Sequence, residues 1–373
     1  MDQKTIFLLG GYGNTGRAIA RLLLQDTDVR LILAGRRLEP ADRLAAELNA
    51  AFPGNRVTAA QADAADRVAL AKAAVGAQLL VAASSTVAHV RNVALAALAV
   101  DADYLDIHYS RRVTPVLKSM LGEIEKNSRC FITQAGFHPG LPAAVIRHVA
   151  ARFDALERAI AAGVVRQQGG IPQTEAMTEF LEEFKEHEAH VYQDGQWKRV
   201  GAFSLSAMRK IYFGRELGVL NCVPLDLEEM RALPPLYPSL KETGHYAAGF
   251  NWFADWVAFP VSLLALRVRP QDALRPMARF LGWSLKTFAS PPYGTALTVD
   301  AAGQKDGRER RSQIFLFHRD GYAFTAIATV ACIRQYLDGT IRRPGLFLMG
   351  ETVEPDRLVA DLERLGVAVS RHE

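Results

Sequence analysis

The segment Gly11-Tyr12-Gly13-Asn14-Thr15-Gly16 has the glycine spacing G-x-G-x-x-G. It follows the apolar run at 5–9 and precedes apolar residues at helical spacing, so it joins a strand to a helix. In this setting the first glycine allows a tight turn, the second lets a pyrophosphate approach the backbone, and the third lets the helix pack closely on the strand. Because the helix N-terminus offers free N–H groups, the segment is predicted to bind a dinucleotide.

The end of the second predicted strand carries Arg36 and Arg37, in the sequence LILAGRR. Domains that use NAD usually have an Asp or Glu at this point, which accepts hydrogen bonds from the ribose 2′-hydroxyl. Here no acid is present to repel a 2′-phosphate, and two guanidinium groups are available to form charge-assisted hydrogen bonds with one. We therefore predict NADP as the cofactor. The alternative is that both arginines are ordinary surface charges.

Further cofactor contacts are predicted at the ends of the third and fourth strands. Asp63 ends the third strand, where an acid commonly meets the adenine amino group; alternatively, it caps a helix at 66–75. Ser84, Ser85 and Thr86 follow the fourth strand, where a loop passes beneath the ribose and nicotinamide in this architecture.

Three side chains at strand ends are candidates for catalytic proton transfer. His108 and Tyr109 end the fifth strand and His138 follows the sixth, so all three are expected at the same edge of the sheet. Reduction of a C=N group needs a proton source beside the hydride donor. His138 is the first choice, because histidine titrates near neutral pH. Each histidine has a structural alternative as a neutral residue that is hydrogen-bonded in a turn.

The middle of the chain contains further candidates. Arg166, Arg199 and Arg209 are candidates for binding substrate carboxylates, with plain surface charges as the alternative. No metal site is predicted. The sequence HEAH at 187–190 places two histidines three residues apart, whereas the zinc-protease helix needs them four apart with the Glu between them.

These side chains must be positioned by alternating strands and helices, which continue to about residue 150. Such alternation predicts an N-terminal Rossmann domain, with a doubly wound parallel sheet, over residues 1–150. The alternation then stops. Residues 151–325 are predicted to form an α+β substrate or dimerisation domain with a mainly antiparallel sheet, in which "GTALTVDAAG" pairs with "RRSQIFLFHR". Residues 326–373 are expected to pack back on the Rossmann domain.

Composition limits the classes of function. The chain has 373 residues, 49% of them hydrophobic, and a net charge of +4. Its basic residues are scattered, which indicates a solvated surface, so we expect no nucleic-acid partner. Three separated cysteines and the absence of a signal-peptide pattern favour a cytoplasmic protein.

The apolar segment 250–268 has two tryptophans at its head and is barely long enough to span a bilayer. A buried helix or a subunit interface is the favoured interpretation. Membrane contact is the less favoured alternative.

Several of these motifs together resemble the saccharopine dehydrogenase-like oxidoreductases. "GGYGNTGRAIARLL", "LILAGRR", "VAASST", "YLDIHYS" and "AGFHPGLP" come in the family's order, and the tail from 320 to 351 is similar as well. The resemblance implies an NADP-binding Rossmann domain, an inserted α+β substrate domain, a homodimer, and NADPH-linked reduction of a C=N bond or the reverse oxidation. Many members have an Asp where this chain has His138, and an Asn and a Gly-Pro in the loop that here contains Ser84 and Ser85.

The leading hypothesis is therefore an NADPH-dependent dehydrogenase or reductase, acting on an imine or a related carbonyl-derived group of a small amino-acid- or amine-like substrate. Two alternatives remain. The sequence "GGYGNTGR" also resembles the loop of NmrA-like redox sensors, which bind NADP without turnover. The second alternative, indicated by the aromatic and apolar segment that begins at Trp252, is a membrane-associated reductase of lipid-like substrates.

Overall fold

The computed structural model describes residues 3–109, 111–169, 175–185, 189–201 and 207–372. The chain is divided into two compact units. The first contains residues 1–141 and 325–362, and the second contains residues 142–324 and 363–373. The predicted C-terminal segment 326–373 is thus split between the units.

The strands, in chain order, are β1 (Thr5–Leu9), β2 (Arg30–Gly35), β3 (Val57–Gln61), β4 (Leu79–Ala82), β5 (Asp103–Asp106), β6 (Cys130–Thr133), β7 (Ala155–Arg166), β8 (Ala189–Gln193), β9 (Gln196–Val200), β10 (Arg209–Tyr212), β11 (Val219–Leu225), β12 (Glu242–Ala248), β13 (Gly294–Lys305), β14 (Arg308–His318), β15 (Gly345–Leu348) and β16 (Ala368–His372).

The α-helices are α1 (Asn14–Asp26), α2 (Leu38–Ala51), α3 (Arg67–Ala73), α4 (Val90–Ala99), α5 (Val113–Lys118), α6 (Leu121–Lys126), α7 (Leu141–Ala150), α8 (Glu175–Lys185), α9 (Gly214–Leu217), α10 (Leu233–Leu236), α11 (Phe259–Val268), α12 (Leu274–Thr287), α13 (Gly321–Leu337), α14 (Met349–Thr352) and α15 (Pro355–Arg364). Short 3₁₀ turns lie at Val87–His89 and Glu228–Ala232, and a π-helical turn at Ala254–Ala258 leads into α11.

The first unit is built on a seven-stranded sheet in the order β15-β6-β5-β4-β1-β2-β3. All of its strand pairs are parallel. β4 is buried along its whole length, as is β1 from Ile6 to Leu9, which explains why these strands read as unbroken apolar runs. The strand order reverses between β1 and β4, and ligands bind above the carboxyl ends of the strands at such a point.

The second unit is built on a nine-stranded sheet whose main path is β10-β11-β12-β7-β13-β14-β16. β7 and β12 are parallel, and the other pairs are antiparallel. The expected hairpin is present: β13 and β14 pair through the turn Asp306-Gly307, where both residues have positive φ. The prediction of a Rossmann domain followed by an α+β domain with a mainly antiparallel sheet is confirmed.

The tail of the chain supplies one strand to each sheet. β15 pairs in parallel with β6 and extends the first sheet, and Thr329 of α13 donates a hydrogen bond to the carbonyl of Ala135 beyond the end of β6. β16 pairs antiparallel with β14 and ends the second sheet. Residues 368–372 therefore do not pack back on the Rossmann domain as expected, because their backbone completes the ladder of β14.

The segment 113–127 contains two short helices, α5 and α6, and the hydroxyl of Ser119 at their junction donates to the carbonyl of Val116. One local expectation also changes. In the segment 250–268, for which a buried helix or a subunit interface is the expectation, only one face is buried, through residues such as Ala258 and Leu266. Trp256 and Leu264 on the opposite face are largely exposed, so the segment is not a fully buried helix, and the interface stays a prediction.

Candidate functional site

The turn from β1 into α1 is shaped by glycines. A Cβ on Gly16 would lie 2.1 Å from the carbonyl oxygen of Gly10, so only glycine fits where the helix passes the strand end. Gly13 is the N-cap of α1, and no side chain caps the helix there. The first N–H groups of α1 are therefore not satisfied by a cap, and the approach to Gly13 is free of a Cβ. This cradle fits the pyrophosphate of a dinucleotide.

The exit of β4 borders the same turn. Gly10 has φ +85°, and a Cβ there would lie 2.6 Å from the Cβ of Ser84 and 2.7 Å from the carbonyl oxygen of Ala83. The predicted loop of Ser84, Ser85 and Thr86 therefore lies beside the glycine cradle, at the point where the strand order reverses.

Tyr12 fixes the end of β2. Its ring covers Gly35, where a Cβ would lie 2.5 Å from a ring carbon, and its hydroxyl accepts a hydrogen bond from the N–H of Arg37 at 3.2 Å. Arg36 and Arg37 are both exposed immediately beyond this contact. The residue between the glycines thus holds the backbone that presents the two guanidinium groups, a role the glycine spacing alone did not indicate.

Asp63 does not cap the helix that follows it. Its carboxylate accepts a hydrogen bond from the N–H of Ala65 at 2.9 Å, in a turn before the helix. The cap of α3 is Asp66, which accepts from the N–H groups of Val68 and Ala69. Asp63 is exposed at the end of β3, so the helix-cap alternative is wrong and the contact with adenine stays a prediction.

Two predicted site residues meet directly. Oγ1 of Thr86, after β4, lies 3.0 Å from Nε2 of His108, after β5. The same Nε2 lies 3.1 Å from the carbonyl oxygen of Ser84. Both Thr86 and His108 are buried. Because an imidazole N–H has two acceptors within reach here, this contact orients the ring of His108 between neighbouring strand exits.

Asp106 is the residue that the sequence reasoning missed. Its Oδ1 accepts hydrogen bonds from the N–H of His108 at 3.0 Å, the hydroxyl of Thr133 at 2.9 Å and the N–H of Gln134 at 3.2 Å. Nδ1 of His108 lies 3.5 Å from the same oxygen. Burial opposes ionisation of this carboxyl, but the charge and hydrogen bonds of His108, with the hydroxyl of Thr133, hold its pKa below the ordinary value. The signal in the sequence was an acid inside the otherwise apolar strand YLDI.

The loop after β6 carries His138. A Cβ on Gly140 would lie 2.4 Å from the carbonyl oxygen of Gln134, so the loop closes tightly on itself. The ring of Phe137 lies 4.6 Å from that of His138. Although His138 keeps some exposed surface, its Nδ1 is buried, and burial lowers its pKa to about 4. His138 is therefore neutral at neutral pH, contrary to the expectation that it titrates there.

Tyr109 follows His108 and is half-buried at the same edge of the sheet. The structure thus joins His108 to Thr86 and Ser84, and places Tyr109 and His138 on the exits of β5 and β6. The catalytic roles of all three candidates stay predictions.

A depression in the second unit, with about 320 Å³ of open space, contains Arg166. Gln167, Asn251, Ser290 and Tyr293 are the polar residues that line it with Arg166. Nε of Arg166 is buried and has no hydrogen-bond partner among the described residues. Burial raises the pKa of the nearby Asp255 to about 6, and the charge of Arg166 acts against that rise.

The other two arginine candidates differ from Arg166. Arg209 forms an ion pair with Glu242, and its guanidinium lies 5.0 Å from the ring centre of Tyr246, so it is already held by the second sheet. Arg199 is exposed on β9.

Neither a metal site nor a membrane span is present among the described residues. No group of three or more His, Cys, Asp or Glu side chains that could hold a metal ion is found in the part of the chain that the structure describes, and His187 and Glu188 of the HEAH sequence lie outside that part. Within the same residues, no helix has the length and apolar character needed to cross a membrane.

The chain is similar to known dehydrogenases. Residues 6–130 match the family of the saccharopine dehydrogenase NADP binding domain. No curated protein matches the chain. The solved apo structure of saccharopine dehydrogenase (L-Glu forming) from Saccharomyces cerevisiae is 15% identical and superposes with a TM-score of 0.71 over 99% of both chains. DAP dehydrogenase from C. glutamicum, solved with DAP, is 16% identical with a TM-score of 0.50 over 98% of this chain and 99% of that one.

At these identities the solved structures show a shared fold, and the family match identifies the N-terminal domain. The glycine cradle and the two exposed arginines lie within the matched residues 6–130, and NADP as the cofactor is confirmed. Residues 6–130 thus match the NADP binding domain of the saccharopine dehydrogenases, and the whole chain shares the fold of the yeast enzyme.

Proposed function

We propose that the protein is an NADPH-dependent oxidoreductase that transfers hydride to or from a C=N group, or a related carbonyl-derived group, of a small amino-acid- or amine-like substrate. The match of residues 6–130 to the NADP binding domain of saccharopine dehydrogenases carries this proposal. It agrees with the prediction from the sequence that the protein is an NADP-dependent dehydrogenase or reductase.

The first unit has the residues to hold the cofactor. The N–H groups at the start of α1 and the bare backbone at Gly13 would receive the pyrophosphate, and Arg36 and Arg37 would pair with the 2′-phosphate. Asp63 and the loop of Ser84 to Thr86 would contact the adenosine and nicotinamide ends. Bound NADPH supplies the hydride, so the chain itself has to position the substrate and handle a proton.

His108 is the better candidate for the proton in this geometry. Its Nε2 lies against the hydroxyl of Thr86, while its Nδ1 faces the ionised carboxylate of Asp106. An ionised carboxylate beside an imidazole stabilises the protonated ring and fixes its orientation. At His138, by contrast, burial alone lowers the pKa to about 4.

Arg166 is proposed as the anchor for a substrate carboxylate. Its buried Nε, unpartnered within the described residues, is costly to leave unsatisfied, and a carboxylate would satisfy it with a charge-assisted hydrogen bond. The carboxylate of Asp255 nearby would favour an ammonium group on the same substrate. This combination suits an amino acid, and the yeast protein of the same fold is a saccharopine dehydrogenase (L-Glu forming).

The test is an NADPH-oxidation screen in which amines and amino acids are paired with 2-oxo acids, aldehydes and ketones. The expected result is turnover that is highest with a carboxylate-bearing pair. Arg166→Gln should raise KM for that substrate at least about tenfold with a smaller change in kcat, because it removes binding common to ground and transition states. Arg308→Gln, at the exposed start of β14, is the matched control.

The outcomes separate the candidate functions. NADPH binding without turnover of any pair would favour the sensor instead, and turnover only with lipid-like carbonyl compounds would favour a lipid reductase. A failure to bind NADPH would overturn the proposal altogether. The homodimer and the cytoplasmic location also remain proposals, the first of which sedimentation velocity measures directly.

A further inference from the structure

Three of the chain's four tryptophans lie together and exposed in the second unit. Trp252, Trp256 and Trp283 expose 62%, 65% and 50% of their surface. Tryptophan is normally well buried, so three such rings in one region are unusual. They lie on the segment that includes the π-helical turn, α11 and α12.

Four exposed apolar side chains before and along α11 recur at about helical spacing, and Val261, 46% exposed, lies among them. Trp252, Trp256, Leu264 and Val268 fall on multiples of four residues, and the last two expose 64% and 72% of their surface. The opposite face packs Ala258 and Leu266 into a core with α8 and α12. The helix is therefore apolar on both faces, and one of them is not covered by any residue that the structure describes.

Trp283 on α12 belongs to the same surface. Its ring lies 5.8 Å from Phe253 and 5.7 Å from Phe288, and Trp252 lies 5.4 Å and 5.5 Å from the same two rings. One aromatic cluster thus connects the exposed stripe of α11 to α12. We call Trp252, Trp256, Leu264, Val268 and Trp283 the Trp surface.

The Trp surface is accompanied by positive charge. Residues 250–290 contain five basic side chains, Arg267, Arg269, Arg275, Arg279 and Lys286, and all are exposed. The segment has two acids, Asp255 and Asp272. The carboxylate of Asp255 accepts the N–H of Phe250 and lies against Gly249, so Asp272 alone offsets the cations on the outside.

The charges discriminate between possible occupants. In a symmetric dimer through the Trp surface, the cations of one copy would meet those of the other, because both copies contribute the same patch. An anionic lipid surface presents phosphates to the arginines and a headgroup layer in which Trp rings are favoured. Apolar and cationic residues in this arrangement are typical of helices that lie in a membrane interface.

We propose that the Trp surface and its flanking cations bind the surface of an anionic phospholipid bilayer, with α11 lying in the interface plane. Trp252, Trp256, Leu264 and Val268 enter the headgroup region, and the arginines of α12 pair with lipid phosphates. This contact is independent of the oxidoreductase function, since it uses neither the glycine cradle nor Arg166.

The test is co-sedimentation of the full chain with phosphatidylcholine vesicles that contain none or half phosphatidylglycerol. The wild type is expected to bind the anionic vesicles at least about tenfold more tightly than the neutral ones, with a blue shift of Trp emission and weaker binding at high salt. The double variants Trp256→Ser/Leu264→Ser and Arg275→Glu/Arg279→Glu should each weaken binding to anionic vesicles at least about tenfold.

Val219→Ser is the control variant, because Val219 is 61% exposed on β11, outside this surface, and should leave vesicle binding unchanged. Unaltered NADPH affinity together with an unaltered midpoint of thermal unfolding in every variant shows that both units are folded. The proposal fails if the wild type does not bind anionic vesicles at low salt, or if Trp256→Ser/Leu264→Ser binds them as well as the wild type. It also fails if that variant converts a dimer to a monomer in sedimentation velocity, since the surface would then join two copies.

Discussion

Nε2 of His108 lies 3.0 Å from the hydroxyl of Thr86, so two consecutive strand exits of the first sheet are joined by one side-chain contact. On the other side of the ring, Nδ1 faces Asp106, which also accepts hydrogen bonds from the residues that end β6. The carboxyl edges of β4, β5 and β6 are thus connected through one histidine and one carboxylate. A substitution at His108 therefore acts on a connected network.

Removal of the imidazole tests that network. His108→Asn should lower kcat about 10²- to 10⁴-fold, as loss of a proton-transfer group does, with NADPH affinity changed less than about threefold. Steady-state kinetics and a fluorescence titration measure the two quantities. Thr86→Val should lower kcat and Thr86→Ser should keep it, because only the second retains the hydroxyl. Full activity of His108→Asn would assign this residue a purely structural role.

The arginines at the end of β2 should set the choice of cofactor. Arg36→Asp is expected to weaken NADPH binding at least about tenfold and NADH binding much less, because it replaces a partner of the 2′-phosphate by a charge that repels it. Isothermal titration with both cofactors gives the ratio. The control is Arg30→Asp: Arg30 lies at the opposite end of the same strand, so its substitution should change the affinity for neither cofactor. Equal losses for NADPH and NADH would contradict the assignment.

The backbone around Gly16 leaves no room for a Cβ atom. Gly16→Ala should lower the free energy of unfolding by about 1–3 kcal/mol and weaken NADPH binding, because the methyl group would meet the carbonyl oxygen of Gly10. Thermal unfolding with and without NADPH measures both effects. Gly122→Ala in α6 is the control: nothing lies within 4 Å of the point where its new methyl group would sit, and it should stabilise the helix by about 0.5–1 kcal/mol.

The buried imidazole of His138 should make stability depend on pH. The unfolded chain takes up a proton at this histidine near pH 6.5, but the folded chain does so only near pH 4, so the free energy of unfolding falls as the pH falls between these values. His138→Gln should remove up to about 2 kcal/mol of the loss between pH 7 and pH 5. Urea unfolding of both proteins at the two pH values gives the difference.

Asp255 has the opposite dependence in the same range. Burial raises its pKa to about 6, so the folded chain binds more protons than the unfolded one and stability falls as the pH rises toward 6. Because this residue is present in both proteins, the comparison of wild type with His138→Gln still isolates the histidine. Identical pH dependence of the two would show that His138 is as solvated in the folded chain as in the unfolded one.

The sequence was sufficient wherever function depends on local backbone chemistry. The spacing of Gly11, Gly13 and Gly16 specifies a turn into a helix, and the position of Arg36 beyond an apolar strand places its charge at the sheet edge. Each signal is contained within a few neighbouring residues of the chain. The alternation of short strands and helices likewise predicts the parallel sheet.

Contacts between strands could not be predicted from local patterns in the sequence. The hydrogen bonds of Asp106 depend on the register that places the end of β5 beside Thr133 of β6, and no local pattern contains this register. The exposure of Leu264 could not be predicted from the sequence either. Because α11 is apolar on both faces, its periodicity does not distinguish the buried face from the exposed one. Burial of His138 likewise depends on packing that surrounds its loop.

β15 and β16, the last two strands in the chain, are synthesised well after the strands with which they pair. β6 leaves the ribosome long before β15, and β14 leaves it before β16, so one strand in each sheet waits with an open edge until the last stretch of the chain has been translated. An unpaired strand edge is a template for association with other chains. Nascent copies that stall before Gly345 should therefore depend on chaperones far more than the finished protein does.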